Sequence, residues 1–239
     1  MRLAGKTALV TGGTDGIGRE IARQLQAKGV KVIIAGRDPG RLESARQEGL
    51  EPIEADLATP QGVEALVAAL EGRELDLLVN NAGMGAAYKV DEGPDLAETD
   101  RCLFLNLTAP IHLVTRLLPM LRSRPEAMIV NVTSGLAIAP RAASPIYCAT
   151  KAGLRSFTMA LRAQLKRTKV RVLEVLPPVV DTRMTAGREG GKMPAAECAR
   201  QAVAAMEADK AEANVGQVKL LRFIYSLSPA FARRMVLRF

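Results

Sequence analysis

Tryptophan is absent, histidine occurs once, and aromatic residues make up only 3% of the 239 positions. A lone histidine, His112, leaves no imidazole pair for a metal site, and it falls inside a helical pattern as a packed or half-exposed residue. Cysteine is also scarce. Cys102, Cys148 and Cys198 are far apart, odd in number and without metal-ligand spacing, so they read as small buried hydrophobes in a reducing compartment. No metal is expected. No run approaches the eighteen or more apolar residues of a membrane span. The short apolar start at residues 7–10 leads into glycines rather than a cleavage site, so the expected location is the cytoplasm. Acid is missing from residues 216–239, where Lys219, Arg222, Arg233, Arg234 and Arg238 stand; much of the net charge of +8 therefore sits on this tail. A basic surface helix is more often a solvated face than a nucleic-acid site, and no nucleic-acid partner is expected. Linkers, low-complexity stretches and internal repeats are missing as well, which argues for a single domain.

What is present alternates. Residues 7–11, 30–35, 51–55, 75–79, 127–132 and 170–176 are short apolar runs, several of them β-branched and continuous, as expected for strands buried on both faces. Between them lie helical patterns through Ile21, Leu25 and Ala27, then at about 62–70, 97–121 and 147–165. Strands that alternate with helices require crossover connections. The expected fold is therefore α/β, a doubly wound parallel sheet with helices on both faces. Past residue 214, Val218, Leu221, Ile224 and Tyr225 follow helical spacing, and Ser228-Pro229 opens a second short helix. The expected division is a dinucleotide-binding and catalytic unit at 1–214 with a basic amphipathic helical extension at 215–239.

Between the first strand and the first helix lies Thr11-Gly12-Gly13-Thr14-Asp15-Gly16-Ile17-Gly18. Glycine permits a tight turn and lets the backbone approach a pyrophosphate, whose charge is met by free N–H groups at the helix start. A glycine turn alone is a weak signal, but in a first βαβ unit it points to a dinucleotide. The second strand ends Ala35-Gly36-Arg37-Asp38. Gly36 leaves empty the place of an acid that would bind a ribose 2′-hydroxyl, and Arg37 supplies a cation for a 2′-phosphate. NADP is expected over NAD, although Asp15 is an acid in a phosphate-binding loop.

Ser134 follows the strand at 127–132, and Tyr147 and Lys151 stand four residues apart, on one helix face. A free tyrosine has a pKa near 10, and an ammonium one turn away is expected to lower it, giving a proton donor usable at neutral pH. Ser134 can hydrogen-bond the substrate oxygen. By itself a Tyr-x-x-x-Lys pair is common on solvated helices, and it acquires meaning from the serine and the glycine loop.

Together these motifs resemble the classical short-chain dehydrogenase/reductases of Rossmann fold over residues 6–184. The matching elements are Thr11-x-x-x-Gly16-Ile17-Gly18, Asp56-Leu57, Asn80-Asn81-Ala82-Gly83, Asn106, Ser134, Tyr147-x-x-x-Lys151 and Pro177…Thr182. The resemblance implies that Tyr147 is the general acid/base, that Lys151 also holds the nicotinamide ribose, that Ser134 orients the carbonyl or alcohol, and that Asn106 supports a water in a proton relay. It further implies cofactor contacts from Gly12, Thr14, Asp15, Gly16, Ile17, Gly18, Arg37, Asp56 (adenine), Leu57, Asn80 (adenosine ribose), Ala82, Gly83, Pro177, Val180 and Thr182. Pro177-Pro178 replaces the family's usual Pro-Gly, and a C-terminal strand ending in a Val-Asp-Gly-Gly-like run is not found in the sequence. Since that strand often builds a tetramer interface, a homodimer is favoured over a tetramer. Pro177 to Thr182, Gly191-Lys192-Met193-Pro194 and the basic tail are similar to a bacterial subgroup labelled by association with teichoic-acid D-alanylation.

The expected reaction moves a hydride between nicotinamide and a carbonyl or alcohol of a modest apolar small molecule, for instance a ketone or a 3-oxoacyl chain. Met84, Met184 and Met193 are expected to line the cleft as an adaptable apolar wall. The alternative is a non-enzymatic NADP-binding sensor or scaffold, which has no need of Ser134, Tyr147 and Lys151. The tail is expected to pack on a partner subunit or over the site, with peripheral contact to an anionic membrane as the other reading.

Overall fold

In the computed structural model, which describes residues 1–238, three strands begin and end where their apolar runs do: β1 (Thr7–Thr11) and, later in the chain, the strands Ala127–Val132 and Val170–Leu176. After β1 come α1 (Gly16–Ala27), β2 (Lys31–Gly36), α2 (Pro39–Gln47), β3 (Glu51–Glu54), α3 (Pro60–Ala69) and β4 (Leu77–Asn80). The chain continues through α4 (Leu96–Leu103), a π-helical turn Phe104–Thr108, α5 (Ala109–Arg122), β5 (Ala127–Val132), α6 (Pro145–Leu165) and β6 (Val170–Leu176). A two-strand ribbon of β7 (Val180–Asp181) and β8 (Met193–Pro194) leads to α7 (Ala195–Glu207), β9 (Glu212–Asn214), α8 (Val218–Leu227) and α9 (Pro229–Leu237).

The main sheet is seven-stranded, in the order β3-β2-β1-β4-β5-β6-β9, and every pairing is parallel. Alternate residues of its strands feed two cores. Ala8, Val10, Ile34 and Val130 pack with Ile21, Leu25, Cys198 and Val203 of α1 and α7 on one face. Leu9, Ile33 and Ile129 pack with Leu66, Leu113, Leu117 and Leu161 of α3, α5 and α6 on the other. A helix layer on each face is what an all-parallel sheet requires, since its strands have no solvent side. Strand order reverses between β1 and β4, so the crevice for a ligand opens above their carboxyl ends.

The seventh strand corrects an expectation. It is present as β9, although no Val-Asp-Gly-Gly run marks it, because three residues suffice beside β6: Glu174 N donates to Ala211 O at 3.0 Å and Val215 N to Leu176 O at 3.1 Å. A buried ion cluster ties this edge to the sheet. Arg155 on α6 meets Glu174 of β6 at 2.5 Å and Glu212 of β9 at 3.3 Å, while Thr133 Oγ1 donates to Glu174 at 2.7 Å.

The helix from Leu96 to Arg122 is long and apolar enough to cross a membrane by length and composition, and here its buried side packs against α3, α6 and the sheet. Its π turn has a local cause. Pro110 has no N–H for the carbonyl four residues back, and Ala109 N bonds Phe104 O five back instead. Beyond residue 214, Val218 packs on Ile138 and Leu176, with Leu221 and Tyr225 against them. Leu220, Phe223, Leu227 and Phe231 remain exposed.

Candidate active site

Thr11, the last residue of β1, fixes the floor of the site. Its buried hydroxyl accepts from Asn81 N (2.9 Å) and Ala82 N (3.0 Å) and donates to Val79 O (3.2 Å), locking the loop after β4 onto the glycine turn. The turn is shaped by contact as well as by φ. Gly12 (φ +64) and Gly16 (φ +52) occupy left-handed backbone, and a Cβ on Gly18 would lie 2.3 Å from both Gly12 O and Asn81 Nδ2. A Cβ on Gly16 would sit 2.9 Å from Thr182 Cγ2, so Thr182, from the loop after β7, closes over the start of α1. A backbone this close, ending on a helix N-terminus, fits a pyrophosphate.

Asp15 caps α1 by accepting from Gly16 N at 2.8 Å, and its charge is opposed from two sides: Arg41 at 3.5 Å and Arg183 at 3.0 Å. The sequence offered no sign of either arginine. With both in place, Asp15 no longer opposes an anionic ligand. Gly36 is also more than an empty slot, since a Cβ there would come 2.7 Å from Thr14 Cγ2; an acidic side chain at this strand end has no room. Arg37 is exposed beyond it and lies 3.9 Å from Asp56. Asp56 is held mainly by Arg101, at 2.9 Å, and by Ala58 N, at 3.1 Å; although burial opposes the shift, these contacts take its carboxyl below the usual range.

Several residues expected at the cofactor also have packing or structural roles. Asn80 lies in the central strand with both sheet faces covered, and its buried side chain donates to Asn131 Oδ1 at 2.9 Å. Leu57 and Val180 are core residues, and Ile17 packs half-buried against the same core as Val180. Pro177 is buried, and its carbonyl accepts from Gly135 N at 2.9 Å, which anchors the turn after Ser134. The methionines divide. Met84 stays half-buried beside the site and Met184 is exposed, but Met193 packs on the core, its Cε 2.4 Å from where a Gly216 Cβ would be.

The chemical centre lies above β4, β5 and β6. Lys151 is 4% exposed; its Nζ donates to Val132 O at 2.9 Å and stands 5.7 Å from the Tyr147 ring centre. Burial lowers the lysine pKa to about 8. Ser134 Oγ accepts from Leu136 N at 3.1 Å, which fixes its side chain at the start of the turn after β5. The expectation that Lys151 depresses the tyrosine is not met. Burial raises the phenol above its ordinary value, with Ser134 and then Arg188 opposing that rise.

Asn106 is fully buried inside the π turn, and its bonds reach well beyond its own helix. Its Oδ1 accepts from Met84 N and its Nδ2 donates to Met84 O, both at 2.8 Å, with Thr150 Oγ1 at 3.2 Å. Gly83 is needed here, because its Cβ would approach Asn106 Oδ1 to 3.2 Å and Lys151 Nζ to 3.6 Å. Asn106 thus pins the loop after β4 beside the lysine.

His112 is exposed and packs edge-on with Phe104, and no cluster among the described residues could hold a metal ion. Burial raises the Cys198 thiol to about 12 and also raises Cys102, as suits inert packing groups. A shallow cavity of about 290 Å³ lined by Gln26, Lys31, Arg46 and Glu51 lies at the amino ends of β2 and β3, opposite the catalytic side chains.

The sequence matches the short chain dehydrogenase family over residues 6–192. It is 44% identical to the uncharacterized oxidoreductase DltE of Bacillus subtilis over 187 residues, 76% of this chain and 74% of that protein. The fold superposes on a short chain dehydrogenase of Burkholderia cenocepacia solved with NADP, with a TM-score of 0.89, 26% identity and 99% of each chain covered. It also superposes on the 3-ketoacyl-(acyl-carrier-protein) reductase of Brucella melitensis solved with NADH, with a TM-score of 0.79, 30% identity and coverage of 87% of this chain and 93% of that one.

Proposed function

Because the chain belongs to the short chain dehydrogenase family, we propose that it is an NADP(H)-dependent oxidoreductase that interconverts a carbonyl and an alcohol on a small substrate. The observation that carries the reaction type is the buried Lys151, whose Nζ is fixed to Val132 O and stands 5.7 Å from the Tyr147 ring centre. A bound nicotinamide dinucleotide supplies or accepts the hydride. The chain's own groups handle the rest. Ser134 donates a hydrogen bond to the substrate oxygen and aligns it, and Tyr147 Oη gives that oxygen its proton in the reducing direction and takes it back in the other. Lys151 places a positive charge where the phenolate forms, and the same charge and donors suit a ribose diol. Asn106 acts at one remove, holding Met84 and the loop after β4 so that Lys151 keeps its place.

NADP over NAD rests on the cationic rim at the end of β2. Arg37 at the end of β2 and Arg41 in α2 supply cations suited to a 2′-phosphate, Arg183 and Arg41 offset Asp15, and Thr14 leaves no space for an acid at Gly36. Fluorescence titration of NADPH against NADH tests this directly: NADPH should bind tighter, and Arg37→Ala should remove most of the difference. Equal affinities in the parent protein end the assignment. For the reaction, Tyr147→Phe should leave NADPH affinity within about twofold while turnover of ketones falls by a factor on the order of 10² to 10⁴. Turnover that survives this substitution overturns the role given to Tyr147. A homo-oligomer belongs to the same proposal, supported by the exposed apolar stripe Leu220, Phe223, Leu227 and Phe231. Sedimentation showing a monomer at all micromolar concentrations removes it.

A further inference from the structure

Two half-buried arginines lie in the loops that follow β5 and β7, at the end of the sheet where Ser134 and Thr182 stand, and neither forms an ion pair among the described residues. Arg141 lies in the segment that joins Ser134 to Tyr147. Its backbone is clamped one residue beyond the tyrosine, with Arg141 N donating to Cys148 Sγ at 3.3 Å and Cys148 Sγ donating back to Arg141 O at 3.7 Å. Its Nη2 donates to the buried Ser144 hydroxyl at 2.6 Å, and its Nε is buried without any hydrogen-bond partner. Arg188 lies in the loop after Thr182, anchored by its N–H to Thr185 O at 3.0 Å. Its neighbours differ from it: Arg183 faces Asp15 and Lys192 faces Asp181 at 3.8 Å, so the other cations of this loop have acids and Arg188 has none. Burial lowers the Arg141 pKa and the Arg188 charge adds to that, while at Tyr147 the same charge opposes the rise that burial causes.

Two half-buried arginines with no acid beside them among the described residues, one with an orphaned buried N–H, cost stability unless an anion meets them. We propose that Arg141 and Arg188 form a fork for an anionic group, so that the substrate is a hydroxy or oxo compound bearing a carboxylate or phosphate near the reacting carbon. This rests on the reading of Ser134, Tyr147 and Lys151 as the reaction centre, and it replaces the modest apolar substrate expected from the sequence. Planar guanidinium groups pair with both anions through two parallel hydrogen bonds.

The test compares NADPH consumption with acetoacetate against its methyl ester, and with dihydroxyacetone phosphate against dihydroxyacetone. At least one anion should exceed its neutral partner by about tenfold or more in kcat/KM, and Arg141→Gln and Arg188→Gln should each bring that ratio towards one through KM. The pair that shows the preference distinguishes carboxylate from phosphate. Ratios near one in the parent protein, ratios untouched by both substitutions, or a loss that follows weakened NADPH binding overturn the fork. If none of the four compounds is reduced, titration calorimetry of malonate and inorganic phosphate into the NADP⁺-saturated protein decides. Binding that both variants weaken by about tenfold supports the fork, and no binding in the parent ends it. The Tyr147→Phe result stands apart from either outcome, so failure of the fork is not failure of the reaction centre.

Discussion

The glycines of the cofactor loops and those of the substrate loops answer to different physics. At Gly12, Gly13, Gly18 and Gly36 a Cβ would meet protein atoms at 2.3–3.0 Å, against Ala82, Ile34, Gly12 O and Thr14 respectively. At Gly85, Gly187, Gly190 and Gly191 nothing lies within 4 Å. The first set is there because atoms approach closely, and the loop they make has one shape. The second set meets no such crowding, and only Gly190, at φ +104, is held to glycine by its backbone. A dinucleotide presents the same pyrophosphate to every protein that binds it, so a fixed cradle suits it, whereas loops that admit a particular substrate gain from adaptability.

The contrast breaks first at Gly18. Alanine there drives a methyl into Gly12 O and Asn81 Nδ2, and backbone cannot yield cheaply, so Gly18→Ala should destabilise by about 3 kcal/mol and abolish measurable NADPH binding. Denaturant unfolding with and without NADPH measures both effects, and a variant with parental stability refutes the tight-cradle account. Next in size is the buried ammonium. The unfolded chain keeps the Lys151 proton to about pH 10.4, but the folded protein releases it near pH 8. Between those values the unfolded state binds more protons, so this group makes stability rise with pH, by about 2 kcal/mol from pH 7 to pH 10. Unfolding curves at the two pH values should show that increment shrinking in Lys151→Met; an unchanged pH dependence would mean that the lysine is hydrated. A smaller effect is expected at Arg41, where Arg41→Ala should cut the NADPH-over-NADH preference by about tenfold and leave Asp15 opposed only by Arg183.

How far the sequence disclosed this depended on burial and on distance along the chain. β1, β5 and β6 were legible to the residue because strands covered on both faces must be continuously apolar. α2 went unread, since it buries only Leu42 and Ala45 and has almost no apolar stripe. β9 was missed because an edge strand of three residues is held by Arg155 and Glu174, which lie far away in sequence. α7 could have been found: Cys198, Ala199, Ala202, Val203, Ala205 and Met206 carry helical spacing. Within the site, Ser134, Tyr147, Lys151 and Asn106 were legible as motif positions. The π turn that frees Asn106, the arginines opposing Asp15 and the hydrogen bond from Asn80 to Asn131 are tertiary facts, and only Pro110 hinted at the first of them.

The weakest effect is the sharpest check on the contrast, because it has the opposite sign. Gly187 and Gly191 have no positive φ, and their Cβ positions are open, so alanine at either meets no obstacle in the folded protein. Its main consequence is to restrict the unfolded chain, which stabilises by about 0.4–1 kcal/mol per site where the native backbone is compatible. For a chain of this size that amounts to a rise in Tm of about 1–4 °C. NADPH affinity should stay at the parental value, since the pyrophosphate cradle is not touched. The KM for substrate should move, because Arg188 sits between these glycines and its reach depends on how the loop bends. A fall in Tm at both sites would mean that the loop is packed in solution, and the two classes of glycine would then differ in degree rather than in kind.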